Sequence, residues 1–254
     1  MCPGFHTKEG NEIGLNKAQK WLWECWEDAW KWFYGIAKKD DWTMIVNGDA
    51  IDGFHHHAVR EIWTPDESEH GIAAYHVLKA PALKASEVYI TEGTEVHTKG
   101  HEHPLAYQLK AKGSHVVMPE GQGGAWPTLS ISFAGTFCKF DHHIGATTRP
   151  YLEASMFSIS LGAVRTEYSR AGKNPPRVIV RSHRHRFGMF DDGCGMCIVT
   201  PPWQLLTRFG RKVVPEAIPQ VGIVVLDWRE RGDDELPDVK RRLYQSSPSP
   251  IING

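Results

Sequence analysis

The chain has 254 residues, of which 41% are hydrophobic and 23% charged, with a formal net charge of −1. That length buries a core without disulfide staples, and the composition excludes a disordered or collagen-like polymer. The near-neutral charge argues against a protein whose main task is to neutralise phosphate backbones. No apolar run approaches the about 18 residues of a membrane span, and the start MCPGFHTKEGNEIG has no basic region followed by an apolar stretch. Five scattered cysteines form no disulfide framework, so a reducing cytoplasm is the expected compartment. Histidine is the outlier: 14 residues, many of them grouped as His55-His56-His57, His97/His101/His103, His142/His143 and His183/His185. Imidazole is the commonest neutral metal ligand and titrates near physiological pH.

In chain order, Asn16 to about Lys39 reads as one amphipathic helix, with Leu22, Trp26, Ala29, Phe33 and Ile36 at three- and four-residue steps and a capping pair in Asn16 and Gln19. Its tryptophans at 21, 23, 26, 30 and 32 cannot all share one stripe; some pack against a second layer or a partner. Thr43–Val46 is a short buried strand ending at Asn47-Gly48-Asp49. A helix over 66–85 precedes a second short strand, Val88–Ile90, which ends at Glu92-Gly93-Thr94-Glu95. Helix, buried strand and acidic loop thus occur twice, the rhythm of an α/β layer with functional groups at strand carboxyl ends. Further strands are expected at His115–Met118, Leu129–Phe133, Thr136–Phe140, Val178–Arg181, Cys194–Val199 and Val221–Leu226, interrupted by a helix over Tyr151–Arg170. One domain over 1–245 is the economical division, with 246–254, rich in serine and proline, a disordered tail.

Segments that follow apolar runs carry metal-type ligands: Gly48-Asp49-Ala50-Ile51-Asp52 with His55–His57 behind it, Gly93-Thr94-Glu95-Val96-His97, Asp141-His142-His143, and Arg181-Ser182-His183-Arg184-His185. An H-x-H at a strand end points both imidazoles to one face. Each segment alone is weak, but their order resembles the calcineurin-like metallophosphoesterase superfamily. Its motifs run D-x-H, G-D-x-x-D, G-N-H-[DE], a lone His, and G-H-x-H, and the resemblance, narrower to phage and prophage members, spans Asn47 to His185. It implies an α/β fold of two mixed sheets packed as a sandwich and flanked by helices. It also implies two divalent ions (Mn, Fe, Zn or Ni) and hydrolysis of a phosphomonoester or phosphodiester, including nucleotide or nucleic-acid substrates. By the same resemblance Asp49 bridges the ions, His142 or His143 and His183 bind one, and His185 binds the other.

The departures are as informative. No D-x-H precedes Gly48, so the first core strand and two ligands are missing, through a late start codon, a truncated gene or true loss. G-N-H-[DE] becomes Gly93-Thr94-Glu95-Val96-His97, which makes Glu95 (or Thr94) a candidate ligand and His97 the candidate proton donor. Ser182 replaces the glycine of G-H-x-H. His55, His56 and Arg184 are candidate substrate contacts, with a solvated loop the alternative for the histidines. Asp52 orients its loop rather than ligating. His101-x-His103 lacks the following glutamate of a cupin-type site, and the single Cys194-x-x-Cys197 is too little for a closed zinc site. Arg181, Arg184 and Arg186 would line the groove of a nuclease, and Lys240-Arg241-Arg242 reads as a solvated face. The rival to an enzyme is an interaction module that has lost the first metal site, with the tryptophan-rich helix as its partner surface.

Overall fold

The computed structural model describes residues 6–7, 9–12, 14–51, 53, 62, 64–121, 123–145, 149–213, 218 and 220–246. Asp52 and His55–His57 lie outside these, as does the expected tail from 247 onward. No helix among the described residues is long and apolar enough to cross a membrane.

Helix α1 (Lys17–Ala37) starts where expected, because Asn16 accepts the Gln19 N–H at 2.9 Å while the Gln19 side chain accepts the Asn16 N–H at 3.0 Å. It buries Leu22, Cys25, Trp26, Ala29 and Phe33. Strand β1 (Thr43–Asn47) follows, then α2 (Glu67–Ala82), capped by Asp66 on the Ser68 N–H. Strand β2 (Glu87–Thr91) pairs in parallel with β1, Thr43 opposite Glu87 and Asn47 opposite Thr91. Two helices come next, α3 (Glu95–Thr98) and α4 (Glu102–Ala111), neither foreseen in the sequence.

The hairpin β3 (Leu129–Phe133) and β4 (Thr136–Phe140) leads through α5 (Glu153–Arg170) to β5 (Val178–Arg181), β6 (Gly188–Asp191) and β7 (Met196–Val199). These strands form a five-stranded mixed sheet in the order β3-β4-β5-β7-β6, with β4, β5 and β7 parallel. A short helix α6 (Arg208–Val213) precedes the antiparallel pair β8 (Gln220–Asp227) and β9 (Asp238–Gln245). His115–Met118, expected as a strand, contributes a single bridge from Val116 to Val88. Cys194 lies in a turn, and β7 begins only at Met196.

The layers run helix, sheet, sheet, helix. Ile45 of β1 and Val224 and Leu226 of β8 pack onto Phe140, Val180 and Ile198 of the five-stranded sheet. Met44 and Val46, on the opposite face of β1, pack with Trp26 of α1, Val77 and Leu78 of α2, and Leu105 and Leu109 of α4. On the far side, Phe157 and Leu161 of α5 cover Ile179, Cys197 and Val199. A mixed α/β sandwich is therefore present, but its second layer is split into two separate ladders, β1–β2 and β8–β9. Between them runs a cavity of about 1050 Å³.

Candidate metal centre

The chain leaves β1, β2, β4 and β5 at one end of the sandwich, and each exit carries a functional side chain. After β1, Gly48 turns at φ 76° and Asp49 at φ 48°. A Cβ on Gly48 would lie 2.5 Å from His142 Nδ1 and 2.8 Å from the Glu92 carbonyl, so only glycine lets the two sheets close here. After β2, Thr94 donates its backbone N–H to Asp49 Oδ1 at 2.6 Å. After β4 comes His142, and after β5 come His183 and His185, both with positive φ at 67° and 53°. Asp49, His183 and His185 are non-glycine residues in the left-handed region, a local cost that persists only where surrounding contacts hold the conformation.

Asp49, His142 and His183 bring one donor atom each to within 4.8 Å of one another. His142 Nε2 stands 2.9 Å from Asp49 Oδ2 and 3.3 Å from His183 Nδ1. Thr94 Oγ1 is 3.1 Å from the same His183 nitrogen, and His97 Nδ1 is 3.2 Å from Asp49 Oδ2. The other His142 ring nitrogen, Nδ1, lies 2.8 Å from the Asn47 carbonyl and must donate to it, since a carbonyl only accepts. That fixes the tautomer and leaves Nε2 of a neutral His142 as an acceptor facing an acceptor carboxylate. The conflict is resolved either by a second proton or by a cation shared between Asp49 and the imidazoles. One hard carboxylate and two borderline imidazoles fit a first-row divalent ion.

The electrostatics follow from that crowding. Burial opposes ionisation of Asp49, but hydrogen bonds to His142 and His97 and the His142 charge outweigh it and hold the carboxyl far below the usual range. Burial likewise works against the charged form of His142, yet the bond and charge of Asp49 raise it. Burial, with His142 beside it, pushes His183 down to about 4, so its imidazole is neutral and available as a ligand at pH 7.

Asn47 ties the site together. Its Nδ2 donates to Ser182 Oγ at 2.9 Å and to the Asp141 carbonyl at 3.2 Å, while its Oδ1 accepts from Thr91 Oγ1 at 3.0 Å. Ser182, the departure from G-H-x-H, is thereby explained: its hydroxyl bridges Asn47 to Thr200 at 2.7 Å. Glu102 lies fully buried, and neither carboxylate oxygen has a hydrogen-bond partner of ordinary geometry among the described residues. A Cβ on Gly93 would touch both its Oε1 and Asp49 Oδ1. Burial, reinforced by the Asp49 charge, pushes its carboxyl upward.

Of the expected residues, Asp49, His142, His183 and His97 meet at this site. His185 lines the same cavity but stands outside the three-residue group. Glu95 is exposed on α3 and also stands outside it, whereas its neighbour Thr94 reaches both Asp49 and His183. His143 packs its ring against His142 and His183 at centroid distances of 5.2 Å. The arginines are engaged elsewhere: Arg181 is buried on Asp141, and Arg184 and Arg186 pair with Glu153 at 3.5 and 2.8 Å. Asn47, Thr94 and Glu102 were not singled out as site residues by spacing, except Thr94 as the alternative to Glu95. Their roles depend on contacts across as many as 135 residues of sequence.

No family model matches the sequence, and no curated protein matches it. Solved structures of similar topology include an archaeal phosphodiesterase, at 13% identity and TM-score 0.44 over 87% of this chain and 93% of that one. Zinc-complexed Vps29 from Entamoeba histolytica is similar at 12% identity and TM-score 0.38 over 80% and 98%. A phosphoesterase-type protein of Streptococcus pneumoniae is similar at 12% identity and TM-score 0.33 over 80% and 97%.

Proposed function

We propose that this chain is a calcineurin-like metal-dependent hydrolase of phosphate esters, monoesters or diesters, with Asp49, His142 and His183 holding a divalent ion. The observation that carries this is the meeting of ligand atoms of Asp49, His142 and His183 within 4.8 Å of one another, with the Nδ1 proton of His142 already committed to the Asn47 carbonyl. A divalent ion held there would supply Lewis-acid chemistry, activating a water and polarising a phosphoryl oxygen. The chain's own residues do the rest. The Thr94 N–H and the His97 ring hold the Asp49 carboxylate in place. Asn47 orients His142 through its carbonyl. His97, on the cavity wall beside Asp49, protonates the leaving oxygen. A second ion would share Asp49 and use His185. Manganese, iron, zinc and nickel all suit the donor set.

The test is hydrolysis of bis-p-nitrophenyl phosphate with added Mn²⁺, together with metal counting by mass spectrometry. His183→Ala removes a ligand and is expected to cost more than the ~10–100-fold typical of outer-sphere partners. Hydrolysis unchanged by chelator or by His183→Ala refutes the proposal. One observation favours a second reading, an interaction module: His185 stands apart from the three-residue group. A metal count near zero without turnover selects the module, and a count near two with turnover selects the hydrolase.

A further inference from the structure

The segment that carries His183 and His185 is held in a conformation that costs free energy. The Arg184 N–H donates to the Ser182 carbonyl at 2.8 Å, closing a three-residue turn with His183 at its centre and φ at 67°. With a positive central φ this is the rarer, strained form of such a turn. His185, two residues on, is left-handed again at φ 53°. Backbone of this kind persists only where neighbouring groups over-determine it. Upstream, the sheets supply the restraint: the Ser182 N–H donates to the His142 carbonyl at 2.9 Å, and the Ser182 hydroxyl meets Asn47 and Thr200. Downstream, the chain regains a strand only at Gly188, where β6 begins.

The grip on that downstream half comes from α5. Glu153, in its first turn, is buried, and its carboxylate joins the two arginines that flank His185. Oε1 lies 3.5 Å from Arg184 Nε, and Oε2 lies 2.8 Å from Arg186 Nη1. An ion pair in open solvent would fix little, but here the carboxylate side chain is 11% exposed and those of the arginines 15% and 28%. One helical turn on, Phe157 lies on the same face, and a Cβ on Gly188 would stand 2.3 Å from its ring. The same end of α5 lies against the chain that leaves His142, with Met156 Cε 2.6 Å from a Cβ built on Gly145. We propose that Glu153 is a positioning residue of the metal centre. By holding Arg184 and Arg186 together it sets the turn from which His183 and His185 project, and it reaches those imidazoles only through the two arginines. Its effect on ion affinity rests on the metal-site reading of Asp49, His142 and His183, whereas its effect on ring position stands without any ion.

The experiment uses three variants of the full chain. Glu153→Ala breaks the clamp. Glu153→Ala/Arg184→Met/Arg186→Met breaks it without leaving unpaired guanidinium groups in a buried place, and so separates position from stability. Asp192→Asn is the control, because it breaks the ion pair that Arg165 makes from the far half of the same helix. Imidazole ¹H–¹⁵N spectra of the metal-free protein read the surroundings and tautomers of His183 and His185, and Co²⁺ titration reads affinity, with the melting temperature alongside. Both Glu153 variants are expected to shift the His183 and His185 resonances and to weaken Co²⁺ binding about tenfold or more, the triple variant with most of the melting temperature restored. Asp192→Asn is expected to leave resonances and affinity at parent values. Should Glu153→Ala fail to fold, the triple variant carries the same comparison. Resonances at parent positions in the Glu153 variants overturn the proposal, as do shifts that Asp192→Asn reproduces. Parent affinity in the triple variant assigns the effect to unpaired charge and also overturns it. A parent that binds no Co²⁺ refutes the metal reading instead, and the imidazole spectra then decide on Glu153 by the same criteria.

Discussion

Gly93 is the residue whose replacement tests the site most sharply. It joins β2 to α3, and a Cβ built on it would lie 2.2 Å from the Asp49 backbone N, 2.3 Å from Asp49 Oδ1 and 2.8 Å from Glu102 Oε1. The first of these is backbone of a residue already held at φ 48°, and the third is a fully buried side chain, so none can swing aside. Gly93→Ala must therefore push the Gly48–Asp49 turn away from the Thr94 N–H, which Asp49 Oδ1 now meets at 2.6 Å. Overpacking of this kind costs about 1–3 kcal/mol, and a chain of this size loses about 2–4 °C in Tm per kcal/mol, giving a fall of about 2–12 °C. Metal affinity should drop about 10–100-fold, as when an outer-sphere support is removed. Gly162→Ala is the matched control, because it lies inside α5 with nothing within 4 Å of its would-be Cβ. It should gain about 0.4–1 kcal/mol. Differential scanning calorimetry and zinc titration by isothermal calorimetry read both variants. A Gly93→Ala protein that melts within a degree of the parent and binds zinc equally well refutes the close approach on which the site is built.

Three further outcomes are expected. Burial pushes the Cys138 and Cys197 thiols up to about 12, and burial with the Asp28 charge takes Cys25 to about 11, while Cys194 is exposed. Iodoacetamide at pH 8 should therefore label Cys194 in the native protein and Cys25, Cys138 and Cys197 only after unfolding; native labelling of Cys197 contradicts the packing of β7. Arg181→Leu removes the buried partner of Asp141, which among the described residues retains only Lys139 at 3.5 Å as a cation. It should cost about 3 kcal/mol in urea unfolding, with most recovered in Arg181→Leu/Asp141→Asn; equal losses in the single and double variants would dismiss the unpaired charge as the cause. The Arg165 hydrogen bond, opposed by slight burial and aided by the Cys194 and Gly195 N–H groups, lowers Asp192 to about 2. A depressed folded-state pKa gives stability that is present above the unfolded value near 4 and is lost as pH falls through about 2. The melting-temperature gap between parent and Asp192→Asn should close across that window, and a gap independent of pH would contradict the assignment.

The elements legible in the sequence were those whose signals are local. The Asn16–Gln19 capping box placed the start of α1, and the apolar runs 43–46, 88–90 and 178–181 became β1, β2 and β5. Strand β9, by contrast, hides behind Lys240-Arg241-Arg242, a run that reads as a solvated face. The charges are tolerated because Lys240 meets Asp227, Arg242 meets Asp28, and Arg241 lies over the Phe187 ring. Helix α4 was obscured by Pro104 in its first turn, where a proline is in fact acceptable. His115–Met118 had the composition of a strand, but after one bridge the chain meets Pro119, which cannot extend a ladder. At the site, Asp49, His142 and His183 could be read because ligand chemistry restricts residue type. Asn47, Ser182 and Glu102 could not, because their parts are fixed by the meeting of two sheets whose sequences are far apart.

The left-handed backbone at Asp49, His183 and His185 narrows which replacements these positions can accept, independently of any ligand. Asparagine, aspartate and histidine enter that region several times more readily than other side chains, and β-branched residues hardly at all. Exchanges among Asp, Asn and His are therefore cheap steps in conformation even where they alter chemistry, whereas Glu at 49 or Thr at 183 keeps polarity but loses the turn. In a saturation library scored for folding alone, survivors at these positions should be enriched in asparagine and glycine. A lineage in which these positions drift free of any ligand would therefore carry asparagine where this chain carries Asp49, His183 and His185.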